Sequence, residues 1–121
     1  MTLNGYRDKA YKNAKEKGFH DEPCNLPTQL MLIVSELSEA MEADRKGKWC
    51  EKSVFPFDTS PIELSKESYE YHVKGTVEEE IADALIRIFD LAGSCEIDLE
   101  WFVNAKMKYN KTRGYKHGKN Y

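Results

Sequence analysis

The segment from Thr76 to Ser94, TVEEEIADALIRIFDLAGS, restricts the fold more than any other part of the chain. Its start reads as a capping box, with Thr76 accepting from the backbone N–H of Glu79 while Glu79 reaches back to the N–H of Thr76. At about 100° per residue, Val77, Ile81, Ala84, Leu85, Ile88, Phe89, Leu91 and Ala92 cover more than half the circumference, and Ala82 and Ile86 widen that surface. A helix so apolar is predicted to be buried on several sides. The remaining stripe holds Glu80, Asp83, Arg87 and Asp90, in which Glu80 and Asp83 form an ExxD pair on one face. Taken alone, this stripe has a simpler account as a solvated edge on which Arg87 pairs with its neighbours.

A second long helix is predicted from about Pro27 to Lys46, closed by cationic residues and Gly47. Leu30, Ile33, Val34, Leu37 and Met41 form its apolar stripe, and Ser35, Ser38, Glu42 and Arg45 its exposed face. Glu36 and Glu39, an ExxE pair, fall on the flank that borders the core. Two such glutamates are also common on ordinary solvated helices.

Around these two helices the chain reads as all-α. A first helix spans Leu3 to Lys17, with Tyr6, Ala10 and Ala14 at four-residue spacing and Gly18 as the stop. Phe19 to Leu26 is a turn in which Asn25 can cap the following helix. His20 beside Asp21 reads there as a surface pair, because the other histidines, His72 and His117, lie in expected loops and not at ligand spacing. The last helix starts at Asp98, a good N-cap, with Leu99, Phe102 and Val103 on its buried stripe. The same line continues as Lys106, Asn110 and Arg113, an apolar face that turns cationic toward a polar cleft. Lys48 to Gly75 is far longer than a usual bundle connection, and Ser60-Pro61-Ile62-Glu63 predicts a short helix there, to about Tyr71. The fold class is therefore a helical bundle in a single domain, 1–121, with residues 49–75 as a loop-rich excursion. At 121 residues such a bundle gains from a partner subunit that completes it.

Charge and cysteine usage narrow the function classes. A net charge of -3 argues against a general binder of polymeric nucleic acid. From Lys106 to the C-terminus, however, cationic residues occur with no acidic one, which suits a small anion. Cys24, Cys50 and Cys95 lack ligand spacing and read as reduced packing thiols. The longest apolar run, Leu30 to Val34, is too short to span a bilayer, and the N-terminus has no signal-peptide core. A soluble cytoplasmic protein that makes no membrane contact is expected.

Two helices carrying carboxylate pairs, and a third carrying Lys, Asn and Arg, suit a hard divalent cation such as Mg²⁺ together with phosphate. The metal neutralises phosphate oxygens while the cationic side chains hold others. A carboxylate di-iron bundle needs an ExxH motif, and the residues three before His20, His72 and His117 are Lys17, Tyr69 and Gly114.

SELSEAMEADRKGK at 35–48, EEEIADALIRIFDLAGSCEIDL at 78–99 and KMKYNKTRGYKHGK at 106–119, with AKEKGFHDEP at 14–23, give the chain its likeness to a family. In ExxE, then ExxD, then KxxxNxxR, it resembles the MazG-like nucleotide pyrophosphohydrolases of the all-α NTP pyrophosphatase superfamily. The resemblance covers most of the chain except Trp49 to Gly75. It implies hydrolysis of a nucleoside triphosphate to the monophosphate and pyrophosphate. By motif position, Glu36, Glu39, Glu80 and Asp83 are then the Mg²⁺ ligands, with one glutamate as the alternative orienter of the attacking water. Lys106, Asn110 and Arg113 become phosphate contacts, joined by His117 and Lys119 from the tail. It further implies a homodimer or homotetramer. Phe19 and Trp49 are the candidates for stacking on the base. Two alternatives stay open: a base-specific dUTP, dCTP or phosphoribosyl-ATP pyrophosphatase, and a non-catalytic helical oligomerisation or nucleotide-sensing protein.

Overall fold

Asn25 and Asp98 each hold a backbone N–H three residues on, at Thr28 (2.9 Å) and Trp101 (3.1 Å), so two helices begin where these caps place them. The computed structural model describes residues 1–51 and 64–120. Its helices are α1 (Leu3–Glu16), α2 (Leu26–Arg45), α3 (Lys66–His72), α4 (Val77–Ser94) and α5 (Leu99–Thr112), followed by a 3₁₀ turn, Tyr115–Gly118. Among the described residues there is no strand, and no helix is long and apolar enough to cross a membrane. The chain folds as an all-α protein. The predicted helix start at Ser60 and Pro61 lies outside the described residues; within them, residues 64 and 65 are not helical and Ser65 caps α3 through the Ser68 N–H.

The chain forms two compact units, Pro23–Arg87 and Met1–Glu22 with Ile88–Tyr121. In the first, α2 buries Ile33, Glu36, Ala40 and Ala43. Of the predicted stripe only Ile33 is inside; Leu37 is 51% and Met41 54% exposed, and Leu30 and Val34 are exposed with them. The inner line is thus the one that holds two alanines and a glutamate. Small side chains let neighbouring helices approach closely, and the larger apolar residues stay outside. The corresponding stretch of α4 buries Val77 and Ala84 while leaving Ile81, Leu85 and Ile86 exposed, so the expectation that α4 is buried on several sides is not met in the single chain. The end of α2 is tied to the start of α4 by the Val77 N–H, which donates to the Lys48 carbonyl at 2.9 Å.

The second unit is held by α1. Asn4 accepts from the Leu99 N–H (2.9 Å), and its amide donates to the Asp98 carboxylate (3.0 Å). These bonds hold the Asp98 carboxyl below the usual carboxylate range, the Asn4 contact first and the Trp101 N–H second. The Asn4 N–H donates in turn to Glu100 (3.1 Å), and Arg7 donates to the Ile97 carbonyl (2.8 Å). Tyr6 stacks on Phe89 with ring centroids 5.5 Å apart. At Gly93 α4 approaches α1 closely: a Cβ there would lie 2.6 Å from the Tyr11 Cβ and 3.2 Å from the Arg7 carbonyl oxygen. Only glycine fits that approach. In α5 no residue is buried, so the predicted buried stripe of Leu99, Phe102 and Val103 remains half-exposed or open in the single chain.

Two further expectations are corrected. Cys24 and Cys95 are exposed rather than packed, and all three cysteines are free thiols. His20 does not pair with the adjacent Asp21. Its Nε2 lies 2.7 Å from Asp90 Oδ1, and its ring meets Tyr11 edge-on at 5.0 Å. A long-range hydrogen bond inside the unit takes the place of a surface turn pair.

Candidate metal centre

The start of α4 sets the height at which its carboxylates project. Thr76 Oγ1 accepts from the Glu79 N–H (3.2 Å), which is half of the predicted box. The reciprocal bond goes one residue further back than expected: Glu79 accepts from the Gly75 N–H at 2.9 Å, while the Thr76 N–H bonds the Val73 carbonyl. Glu79 also accepts from the Tyr69 hydroxyl, and the phenol is pushed up to about 12 by its removal from water and then by that bond. Glu79 is therefore held in a structural role at the helix start, and Glu80 and Asp83 are the α4 carboxylates left to face α2.

Glu36, Glu80 and Asp83 each offer one carboxylate oxygen, and these oxygens all lie within 4.8 Å of one another. Glu36 is only 9% exposed, on the inner line of α2. Glu39, one turn further on, is exposed and outside that trio. Its carboxylate lies close enough to Glu80 to make ionisation of Glu80 costly. Arg87 closes the other side, its Nε 2.6 Å from Glu36 Oε1.

Crowded like charges in a partly desolvated place make ionisation costly. The Glu80 carboxyl is pushed up to about 7, first by burial, next by the neighbouring Glu39 carboxyl, then by the charges of Asp83 and Glu36. Asp83 is also raised, by burial first and by Glu36 second, while Arg87 acts in the opposite sense. This donor set fits a hard divalent cation. Bonds of about 2.1 Å to Mg²⁺ ask for ligand oxygens roughly 3 to 4.2 Å apart, inside the 4.8 Å within which all three fall. A 2+ ion among them would also relieve the repulsion that raises Glu80 and Asp83.

Beside these carboxylates a cleft of about 150 Å³ is lined by Glu39, Glu80, Glu42, Lys46, Lys48 and Gly75. Lys46 is within 3.7 Å of Glu42. The two lysines bring positive charge to the rim of a mostly acidic site. Sequence reasoning treated Lys46 only as a helix-end cation and left Lys48 aside. The available signal was their place just beyond the ExxE helix.

The other candidate residues belong to the other unit, Trp49 excepted. Lys106 Nζ lies 5.0 Å and Arg113 Cζ 5.7 Å from the centre of the Tyr109 ring, so both cations lie near the same aromatic ring. The Asn110 side-chain oxygen is buried without a hydrogen-bond partner among the described residues. His117 and Lys119 are exposed in and after the 3₁₀ turn, where Lys116 and His117 adopt left-handed φ of 52° and 53°. Phe19 is exposed. Trp49 is also exposed, its indole N–H donating to Asp44 at 3.0 Å. Cys50 lies near the cleft by sequence but is no activated thiol: burial raises its pKa, with Glu78 next, and its N–H donates to Glu78. Comparison with models of known families, with curated proteins and with solved structures gives no match to this chain.

Proposed function

We propose that the chain is a Mg²⁺-dependent nucleoside triphosphate pyrophosphohydrolase of the MazG-like type, converting a (d)NTP to the (d)NMP and pyrophosphate. The observation that supports it is the convergence of Glu36 from α2 with Glu80 and Asp83 from α4, with Glu39 one turn further along α2. When bound, Mg²⁺ supplies charge neutralisation at phosphate oxygens and a more acidic water. Glu36, Glu80 and Asp83 would hold it. Glu39, outside the trio, would be the glutamate that orients and deprotonates the attacking water. Lys106, Asn110 and Arg113 supply the phosphate contacts, and the exposed rings of Phe19 and Trp49 the stacking surfaces for a base.

The test is a pyrophosphate-release screen over common and damaged nucleotides, with and without Mg²⁺, with product analysis. Pyrophosphate and monophosphate in equal amounts, only with the metal, is the expected result. Nucleotide binding without product would instead make the chain a sensor, and activity on a single base or on phosphoribosyl-ATP would make it one of the specific pyrophosphatases.

A pH dependence follows from Glu80. With its carboxyl raised to about 7, Glu80 must lose its proton before it can act as a ligand. Apparent Mg²⁺ affinity at pH 6 is therefore expected to be about tenfold below that at pH 8, as calorimetry would show. The effect on stability of the metal-free protein has the opposite sense. The folded chain retains a proton that an unfolded glutamate releases near its ordinary value, so stability falls as pH rises from there toward about 7. Thermal melts at pH 5 and pH 7.5 without metal check that sign, and equal affinities at pH 6 and 8 would exclude a Glu80 ligand.

A further inference from the structure

Among the described residues, Arg87 is the one cation paired directly with a member of the carboxylate trio. Its Nε is 2.6 Å from Glu36 Oε1, a short charge-assisted hydrogen bond. The two partners differ in their access to water: the Arg87 side chain is 41% exposed and that of Glu36 only 12%. Glu36 is therefore fixed in the interior, while the guanidinium can turn outward on its long stem without disturbing the helix that carries it. Left alone beside Glu80 and Asp83, the Glu36 carboxylate would be a poorly solvated anion among like charges, so it needs a cation at all times. A divalent ion bound to the trio would meet that need, and at that range it would repel the guanidinium.

We propose that Arg87 is an exchange cation: it neutralises Glu36 while the carboxylate site holds no metal, is displaced from it by the divalent ion, and then pairs with the phosphate that the ion carries. This rests on the metal-site reading above and adds to it a residue that the helix motifs do not include. Arg87 thereby keeps the empty site folded, and it makes metal entry and phosphate binding cooperative, because the group released by the first event is a ligand in the second.

The exchange predicts effects of opposite sign in one variant. In full-length Arg87→Gln, calorimetric titration with Mn²⁺ alone should show affinity raised about fivefold or more, since the competitor for Glu36 is gone. Binding of inorganic tripolyphosphate in saturating Mn²⁺ should weaken about tenfold, the usual consequence of losing one charged hydrogen bond. A guanidinium that merely props Glu36 in place gives the reverse in the first titration, and weaker or unchanged Mn²⁺ binding overturns the proposal. So does unchanged tripolyphosphate affinity. Arg87→Lys, which retains the charge, should stay near wild type in both. A second measurement needs no neutral variant: in the ¹⁵N spectrum of the wild type, the Arg87 Nε–H resonance, assigned by its loss in Arg87→Lys, should move on addition of Mg²⁺ while those of Arg7 and Arg45 do not. A stationary Arg87 signal in protein that binds Mg²⁺ refutes the exchange alone. Wild-type protein that binds neither Mg²⁺ nor Mn²⁺ removes the metal-site reading and the exchange together.

Discussion

Asp83→Asn is expected to lower Mg²⁺-dependent pyrophosphate release by about 10²–10³-fold, the scale on which loss of one charge-stabilising group acts. The substitution conserves shape and removes one of the three carboxylates that converge within 4.8 Å. It also removes a like charge that faces Glu36 and Glu80, so the metal-free variant should fold and melt no lower than wild type. Loss of function together with unimpaired stability is the signature of a ligand. A parallel variant separates the roles of the two α2 glutamates. Glu39→Gln lies outside the trio and should retain Mg²⁺ affinity within a few-fold while losing turnover, whereas Glu36→Gln should lose both. Calorimetry and product assays on the three proteins decide this, and full turnover in Asp83→Asn would end the metal assignment.

The carboxylate pairs were legible in the sequence because i,i+3 spacing puts two side chains on one helix face whatever the helix packs against. The caps at Asn25 and Asp98 were legible for a similar reason, since a cap is a local matter of three residues. Which glutamates meet was not legible. That depends on how α2 is rotated about its axis, and the apolar pattern pointed Leu30, Val34, Leu37 and Met41 inward, with Glu36 only at the border. The structure turns the helix so that Ile33, Glu36, Ala40 and Ala43 are inside. Arg87 shared the acidic stripe with Asp83 and Asp90, but its partner is 51 residues away on α2. His20 and Asp90, 70 residues apart, were hidden in the same way. No spacing rule connects such residues; only the packed helices do.

The same rotation leads to the second large effect, on assembly. Among the described residues the buried apolar set is Ile33, Ala40, Ala43, Val77, Ala84 and Ala92, four of them alanines, and no large side chain is fully buried. Burial of a leucine or isoleucine contributes about 1.5–3 kcal/mol, whereas each methyl-sized group gives roughly 0.8 kcal/mol, so a core of this kind is a weak one. Leu30, Val34, Leu37 and Met41 meanwhile form an apolar ridge along α2 that faces water, and α4 adds Ile81 and Leu85. Exposed apolar residues at this spacing are what an association surface would require. The proposed occupant is a second copy of the chain, because a two-fold contact matches one apolar ridge with an identical one and leaves no sticky surface over. Leu37→Glu combined with Val34→Glu should then convert an assembly of at least twice the 14.0 kDa chain mass into monomers. The monomers should melt below wild type, since the ridge would no longer be buried against a second copy. The wild-type melting temperature should rise with protein concentration, and that of the double variant should not. Sedimentation equilibrium and melts over a hundredfold concentration range measure both, and a wild-type monomer at high concentration would refute self-association through this ridge.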